Sequence, residues 1–345
     1  MPGLALPGLA LVGLAGLAAC EKSASTDYRF PAFGTDVRIE ILDPGSERAA
    51  AAVGDVLRLF RVAERDWYAF GDGELARING LLLTGRAAEV SAELAPLITR
   101  ALDLHARSDR LFDPGVCALV RLWQFDSETA LAAATGPPPT SAIQALRENQ
   151  GTLADARFDG HTLSVTRPFC IDLGGMAKGT ALERARLVLR AHGIDHALLD
   201  IGGSSQLALG RKATRPWYIG LRDPQANRVF GRLALAPGEA ASTSGNYERG
   251  YTRNLRRYHH ILDPRTGAPT TETASVTVLA RDAELADAAS TALMVAGPTR
   301  FRDVCSKLGI RDALLVTTSG TLLTTPGMAI RLRRDNAGQL PTAVL

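Results

Sequence analysis

Ile171 to Gly203, IDLGGMAKGTALERARLVLRAHGIDHALLDIGG, sets a strand, a glycine turn, a helix and a second strand in one unbroken run. Ile171–Leu173 has the apolar character of a short strand. The spacing predicts a helix from Gly179 to His192, with Gly193 just past its end, where a left-handed residue closes a helix. Ala197–Ile201 is an apolar strand that runs straight into Gly202 and Gly203.

Working outward, the same two periods recur without strict alternation. Toward the N-terminus, Thr162–Val165 reads as a strand, and Gly136-Pro137-Pro138-Pro139 marks a loop and an internal boundary. Glu93–Ser108 and Ala49–Asp66 carry helical apolar stripes (Val53, Val56, Leu57 and Phe60 in the latter), and Val37, Ile39 and Ile41 alternate as in a half-buried strand within Tyr28–Leu42. Toward the C-terminus, Ser275–Ala280 reads as a strand and Glu284–Val295 as a helix closed by Gly297-Pro298. There is no internal repeat. The mixture favours an α+β fold over a doubly wound sheet.

At 345 residues and 46% hydrophobic content the chain can bury a large core without staples. Its 39 basic and 36 acidic side chains, a net charge of +3, form no basic block, which argues against nucleic acid as a partner. Residues 1–20, MPGLALPGLALVGLAGLAAC, form an uncharged Leu/Ala/Gly run too broken by Gly and Pro for a stable span, and read as an export signal. Leu17-Ala18-Ala19-Cys20 resembles a bacterial lipobox, with Cys20 as the lipidated residue, although the usual basic start is missing. Residues 21–27 then form a polar tether and 28–345 the folded domain. Cys117, Cys170 and Cys305 remain, an odd number widely spaced among apolar neighbours, and are expected as buried thiols.

Chemistry concentrates in few places. IDLGGMAKGT offers a glycine turn and Lys178 at a helix start, which suits an anionic ligand, but it lacks the Gly-Lys-Ser/Thr order of a P-loop. Asp287 and Thr291 lie four residues apart on one helix face, an oxygen pair that suits a hard cation such as Mg²⁺. Ala241–Pro269, ASTSGNYERGYTRNLRRYHHILDPRTGAP, packs hydroxyls, His259, His260, Asp263 and Arg265 among turn residues. There a histidine can act as a base and Arg265 can bind phosphate. Each feature alone has a plainer reading: a solvated lysine, a back-bonded threonine or a structural histidine.

Together they carry more. Phe33-Gly34-Thr35, DGELARIN from Asp72, FDPGV from Phe112, IDLGGMAKG from Ile171, LLDIGG from Leu198, STSGNY from Ser242, HHILDPRTG from His259 and ADAASTAL from Ala286 resemble, in order and spacing, the ApbE-type FAD:protein FMN transferases of bacterial envelopes. The resemblance covers nearly the whole chain after the signal. It implies mixed and antiparallel sheets with flanking helices and an FAD site in a central cleft. It also implies Mg²⁺-dependent transfer of FMN from FAD to a Thr or Ser hydroxyl of an acceptor flavoprotein, with AMP released. By resemblance, Asp287, Thr291 and the Gly175 carbonyl hold Mg²⁺. Phe33, Trp67, Tyr68, Asp113, Lys178 and Ile261 fall at FAD-contacting positions, His260 is the base or orienting group, and Asp263 fixes its loop. The chain departs from the family in having Phe33 for Met, Ser204 for an acid, and Glu183 and Asn246 for Asp. A membrane-anchored enzyme facing the periplasm is expected. The alternatives are an FAD pyrophosphatase and a non-catalytic FAD-binding lipoprotein.

Overall fold

The computed structural model describes residues 25–42, 45–226, 228–334 and 340–345, so the signal and Cys20 lie outside the described residues. Among the described residues nine strands form one sheet, in chain order: Thr26–Ala32, Thr35–Ile41, Ala197–Ile201, Ser205–Leu209, Ala240–Gly245, Thr273–Ala280, Asp312–Thr317, Leu322–Thr324 and Thr342–Val344. Neighbours run antiparallel except the final pair, which is parallel. Thr26 and Asp27, read as tether, belong to the first strand, because they continue its ladder opposite Ile41 and Glu40, and Arg38 donates to the Asp27 carboxylate at 2.9 and 3.0 Å.

Both faces of the sheet are covered. Helices Ser46–Asp66, Ala177–Ala191 and Ala283–Leu308 contribute Phe60, Leu182 and Leu293 to a core shared with Ile39, Leu199, Val276 and Val278. On the opposite face, Leu198, Ala241, Leu279 and Leu314 meet Trp217 and Leu233 of a smaller sheet built from Trp217–Arg222, Val229–Leu235 and Arg333–Arg334. Successive residues along a strand point to opposite faces, so Val278 and Leu279 enter different cores. A strand buried on both sides reads as a continuous apolar run. Each large side chain fully buried this way contributes about 1.5–3 kcal/mol.

Several expectations are corrected. Ile171–Leu173 is not a strand, because its neighbour is a side chain: Asn79 Nδ2 donates to the Ile171 carbonyl and the Ile171 amide donates to Asn79 Oδ1, both at 2.8 Å. One amide group thus imitates one rung of a ladder. Cys117 and Cys170 are not free thiols but a disulfide with Cα atoms 5.5 Å apart, leaving Cys305 buried and free. The odd count hid a single staple. Gly136–Pro139 is no domain boundary, since Leu119 before it and Ile143 after it share one small core with Trp123, Phe125 and Leu262. At Gly297 the long helix leaves helical geometry (φ 67°, ψ 179°), as expected of Gly-Pro, yet helix resumes at once to Leu308.

Candidate functional site

The helices Ala177–Ala191 and Ala283–Leu308 cross where Gly179 lies against Ala283. A Cβ on Gly179 would sit 2.3 Å from the Ala283 carbonyl oxygen, so only glycine permits the approach. That approach places Asp287 at the start of the first helix, where backbone N–H groups have no helical acceptor. Its Oδ2 accepts from the Gly179 amide at 2.9 Å, and its Oδ1 accepts from Ser242 Oγ at 2.7 Å. Ser242 in turn bonds Ser205 across the strand pair at 3.1 Å. Asp287 is buried, and burial pushes its pKa above the usual carboxylate range against the opposing pull of Lys178, the Gly179 amide and the two serines.

Lys178 does not bond this carboxylate. Its Nζ donates to Ser204 Oγ at 2.6 Å, at the turn after strand Ala197–Ile201. Gly202 in that turn lies so close to Thr35 that a Cβ would meet Thr35 Oγ1 at 2.7 Å, which brings the Phe33-Gly34 hairpin turn alongside. Phe33 holds a left-handed φ of 55° there, with its ring edge-on to Phe60 at 5.2 Å. On the other side of Asp287, Thr291 Oγ1 lies 3.4 Å from both the Asp287 carbonyl and Ser244 Oγ, and Ser244 bonds Ser290 at 2.7 Å. Gly175 faces Thr291: a Cβ on it would lie 3.5 Å from Thr291 Oγ1 and 3.0 Å from the Phe112 ring. Carboxylate, hydroxyls and glycine turn therefore converge.

Two further carboxylates flank the glycine turn. Asp172 accepts from the Gly174 amide at 2.9 Å, and Asp113 accepts from the Gly115 amide at 2.8 Å; burial raises the pKa of each. The fixed charges that oppose this are Arg249 for Asp172 and Arg110 for Asp113. The Asp172 amide donates to the Pro114 carbonyl at 2.8 Å, and the disulfide joins the residues just beyond, so the two turns form one wall.

The His260 loop closes the arrangement. His260 Nδ1 lies 3.1 Å from the Arg249 carbonyl, which only accepts, so Nδ1 carries the proton and Nε2 the lone pair. Burial is the main force that lowers its pKa to about 3, and the nearby charges of Arg249 and Lys178 act in the same direction. The ring is a neutral acceptor at ordinary pH. Asp263 does not touch it. Its carboxylate takes the Arg265 amide and Nε at 2.9 Å and Nη2 at 2.8 Å, while Arg265 Nη2 also donates to the Val295 carbonyl at 3.1 Å. Arg265 is thus committed to the scaffold.

A model of the ApbE family matches residues 33–315. The chain belongs to the ApbE family. An FAD:protein FMN transferase from Rhodobacter capsulatus is 37% identical over 310 residues, covering 90% of this chain but 58% of that protein, so the chain spans less than two thirds of its length. A Vibrio cholerae protein of the same name is 30% identical over 308 residues, covering 88% of this chain and 91% of its own. The crystal structure of the ApbE protein from Thermotoga maritima superposes with a TM-score of 0.81 at 30% identity, covering 90% of this chain and all of that one. The α+β architecture is that of the ApbE family.

Within this ApbE chain the structure brings together Gly175, Lys178, Asp287 and Thr291, with Phe33, Asp113 and His260 around them. Tyr68 lies near Asp172 and Arg249; burial raises its pKa, and its neutral hydroxyl donates to the Asp126 carbonyl. Trp67 does not join in the same way: it is buried, with the Arg184 guanidinium 4.8 Å above its ring. Ile261 is a core residue whose carbonyl accepts from Thr270. Sequence reasoning missed Asp172, Arg249, Ser205, Ser242, Ser244 and Ser290, and noted Ser204 only as a departure from the family, not as the partner of Lys178. The strand period carried a signal for two of them, since Ser242 and Ser244, two apart, share the face that meets the Asp287 helix.

Proposed function

We propose that this chain transfers the FMN portion of FAD to a Thr or Ser hydroxyl of an acceptor flavoprotein, releasing AMP, with Mg²⁺ as its metal. The observation that carries the reading is Asp287, a buried carboxylate bonded only by neutral donors, set beside Thr291 and the Gly175 backbone in a member of the ApbE family. Among the described residues no group of three or more His, Cys, Asp or Glu side chains stands ready to hold a metal. One carboxylate with neutral oxygens suits Mg²⁺, which keeps waters and substrate phosphates in its remaining positions, better than zinc. When bound, the ion neutralises the pyrophosphate charge that develops during transfer.

The protein's own groups supply the rest. Lys178 exchanges Ser204 for an anionic oxygen of FAD, and the Gly174-Gly175 turn lets the backbone approach the phosphates. The acceptor oxygen forms a bond to the FMN-side phosphorus as the bond to the AMP phosphate breaks, and AMP leaves with that electron pair. The hydroxyl proton goes to His260 Nε2. A base with so low a pKa is weak alone, and the negative charge of bound pyrophosphate raises it toward the working range. Asp263 and Arg265 hold the loop that carries the ring.

The reading is tested by incubating the chain from Glu21 onward with FAD, Mg²⁺ and a candidate acceptor domain, then weighing the acceptor by mass spectrometry. An FMN adduct that disappears in Asp287→Ala is expected. Free FMN and AMP without an adduct would replace transfer by FAD hydrolysis, and unchanged FAD would leave an FAD-binding lipoprotein. We also infer export and lipidation at Cys20, with the folded domain in the periplasm. The Cys117–Cys170 disulfide supports export, because such bonds persist in oxidising compartments. Cys20→Ser releasing the protein from the membrane fraction is the expected result.

A further inference from the structure

Among the described residues, strands Gly250–Arg253 and Arg256–His259 pair only with each other, forming a ribbon that projects from the same loop as His260. We propose that this ribbon is the docking arm for the acceptor protein and that it receives an acidic, extended stretch of the acceptor next to the hydroxyl to be modified. The inference rests on the transfer reading and adds to it the chemistry of the partner.

The root of the ribbon is fixed. Tyr251 and Tyr258, paired across the strands with ring centroids 5.6 Å apart, pack on Phe125 and Trp123 at 5.6 and 5.7 Å. Arg257 donates to the Asn246 and Glu248 carbonyls at 2.7 and 3.1 Å, and Arg249 donates to the Phe125 carbonyl at 3.1 Å while its own carbonyl holds His260. The root is thus continuous with the site, and whatever the ribbon holds is kept close to the His260 ring.

The tip, by contrast, is held lightly: the Arg253 stem lies near Gly136, where an added Cβ would be 3.7 Å from Arg253 Cγ, and Leu255 stands clear. Leu255 is fully exposed at 102% and sits in the left-handed region at φ 61°, after Asn254 at φ 49°. A two-residue hairpin turn of this kind favours Asn-Gly, so a bulky Leu there runs against both its backbone preference and its hydrophobicity. Arg253 and Arg256 are exposed beside it, Arg253 without an ion pair among the described residues and Arg256 stacked on Tyr258 at 5.2 Å. No acidic residue occurs between Glu248 and Asp263. The ribbon therefore presents positive charge, an apolar tip and two unpaired strand edges, which suit an acidic extended segment.

The test uses peptides that share one Thr and differ in acidic, neutral or basic flanks, with the full chain as enzyme. Wild type is expected to modify the acidic peptide with the lowest KM. Arg253→Glu with Arg256→Glu is expected to raise that KM about tenfold and to weaken its salt dependence, with FAD binding and kcat at saturating peptide unchanged. Leu255→Gly, which relieves the turn, is expected to fold at least as stably and still raise the KM. Equal KM values for the three peptides, or ribbon variants that match wild type, would overturn the docking arm while leaving transfer intact. Ribbon variants that lose binding to phosphatidylglycerol vesicles but keep the acceptor KM would overturn it in favour of a membrane contact. A wild-type chain that binds FAD yet modifies no peptide would bring down the transfer reading and the docking arm with it.

Discussion

The Asp287 pocket and the His260 loop face the same space but are built in opposite ways. Asp287 hangs from a helix, is buried, and is bonded by a helix amide and a strand serine. His260 stands on a stretch of turns beside an exposed cationic ribbon, and one backbone carbonyl fixes its ring. Regular elements can hold a charge against the cost of burial, because many neighbours share the strain. Turns do better at carrying a group whose surroundings change when a partner arrives. The wall of glycine turns from Asp113 and Asp172 lies between the two and has no strand to support it.

The comparison breaks most visibly at Asp287. Asp287→Asn keeps the shape and removes the charge, and transfer measured by acceptor mass is expected to fall about a thousandfold, the scale of losing a preorganised charge contact. Stability moves the other way. A carboxyl whose folded-state pKa lies above its unfolded value binds protons more tightly when folded, so ionisation costs stability as pH rises through and above the usual carboxylate range. The melting temperature of Asp287→Asn at pH 7 without metal should equal or exceed that of wild type. A lower value would mean the pocket is held together by its charge.

The intervening wall is tested by replacing Cys117 and Cys170 together with Ala. The bond closes a loop across 53 positions, and its loss should cost about 2–4 kcal/mol in chemical denaturation. Both halves of the site should weaken together in FAD affinity. A loss confined to stability would make the staple a feature of the core alone.

His260→Gln sharpens the contrast from the loop side, with transfer expected to drop about a hundredfold and its pH profile to flatten. Burial depresses the His260 pKa to about 3, so its contribution to stability is complete above about pH 6.5, the unfolded value, and is lost as pH falls toward 3. The variant should lose that part of acid sensitivity in melts across the same window. Full transfer rate with an unchanged profile in His260→Ala would remove the residue from the reaction.

The smallest effect is expected at Arg265. Its half-exposed guanidinium braces Asp263, and Arg265→Ala should cost about 1 kcal/mol or less, with FAD affinity changed less than about threefold. A larger loss of affinity would return Arg265 to the phosphate site.

Much of this was legible from the chain. Thr162–Val165 and Ala197–Ile201 appear as read, the first an alternating segment rich in β-branched residues and the second an apolar run, each ended by turn residues. The Asp287–Thr291 pair was visible through helical spacing and Lys178 through its place after the glycine turn. What stayed hidden depends on distant residues. The Ile171 pairing is made by a side chain 92 positions away, and the disulfide joins cysteines whose separation carries no pattern. Ser204 holding Lys178 was equally out of reach, since the two meet only when a hairpin turn is laid against a helix start. Arg265 misled for a related reason: a cation beside a turn looks free until the turn's own carboxylate is found bound to it.

The Asn79 amide that holds Ile171 also makes one backbone N–H a reporter. That proton is shielded by a single side chain rather than by a sheet. Its exchange with deuterium therefore requires only that helix Glu74–Leu82 lift away from the glycine wall, not that the nine-stranded sheet open. Followed with and without FAD, the Ile171 amide would time the breathing of the wall on its own, separately from the unfolding of the molecule.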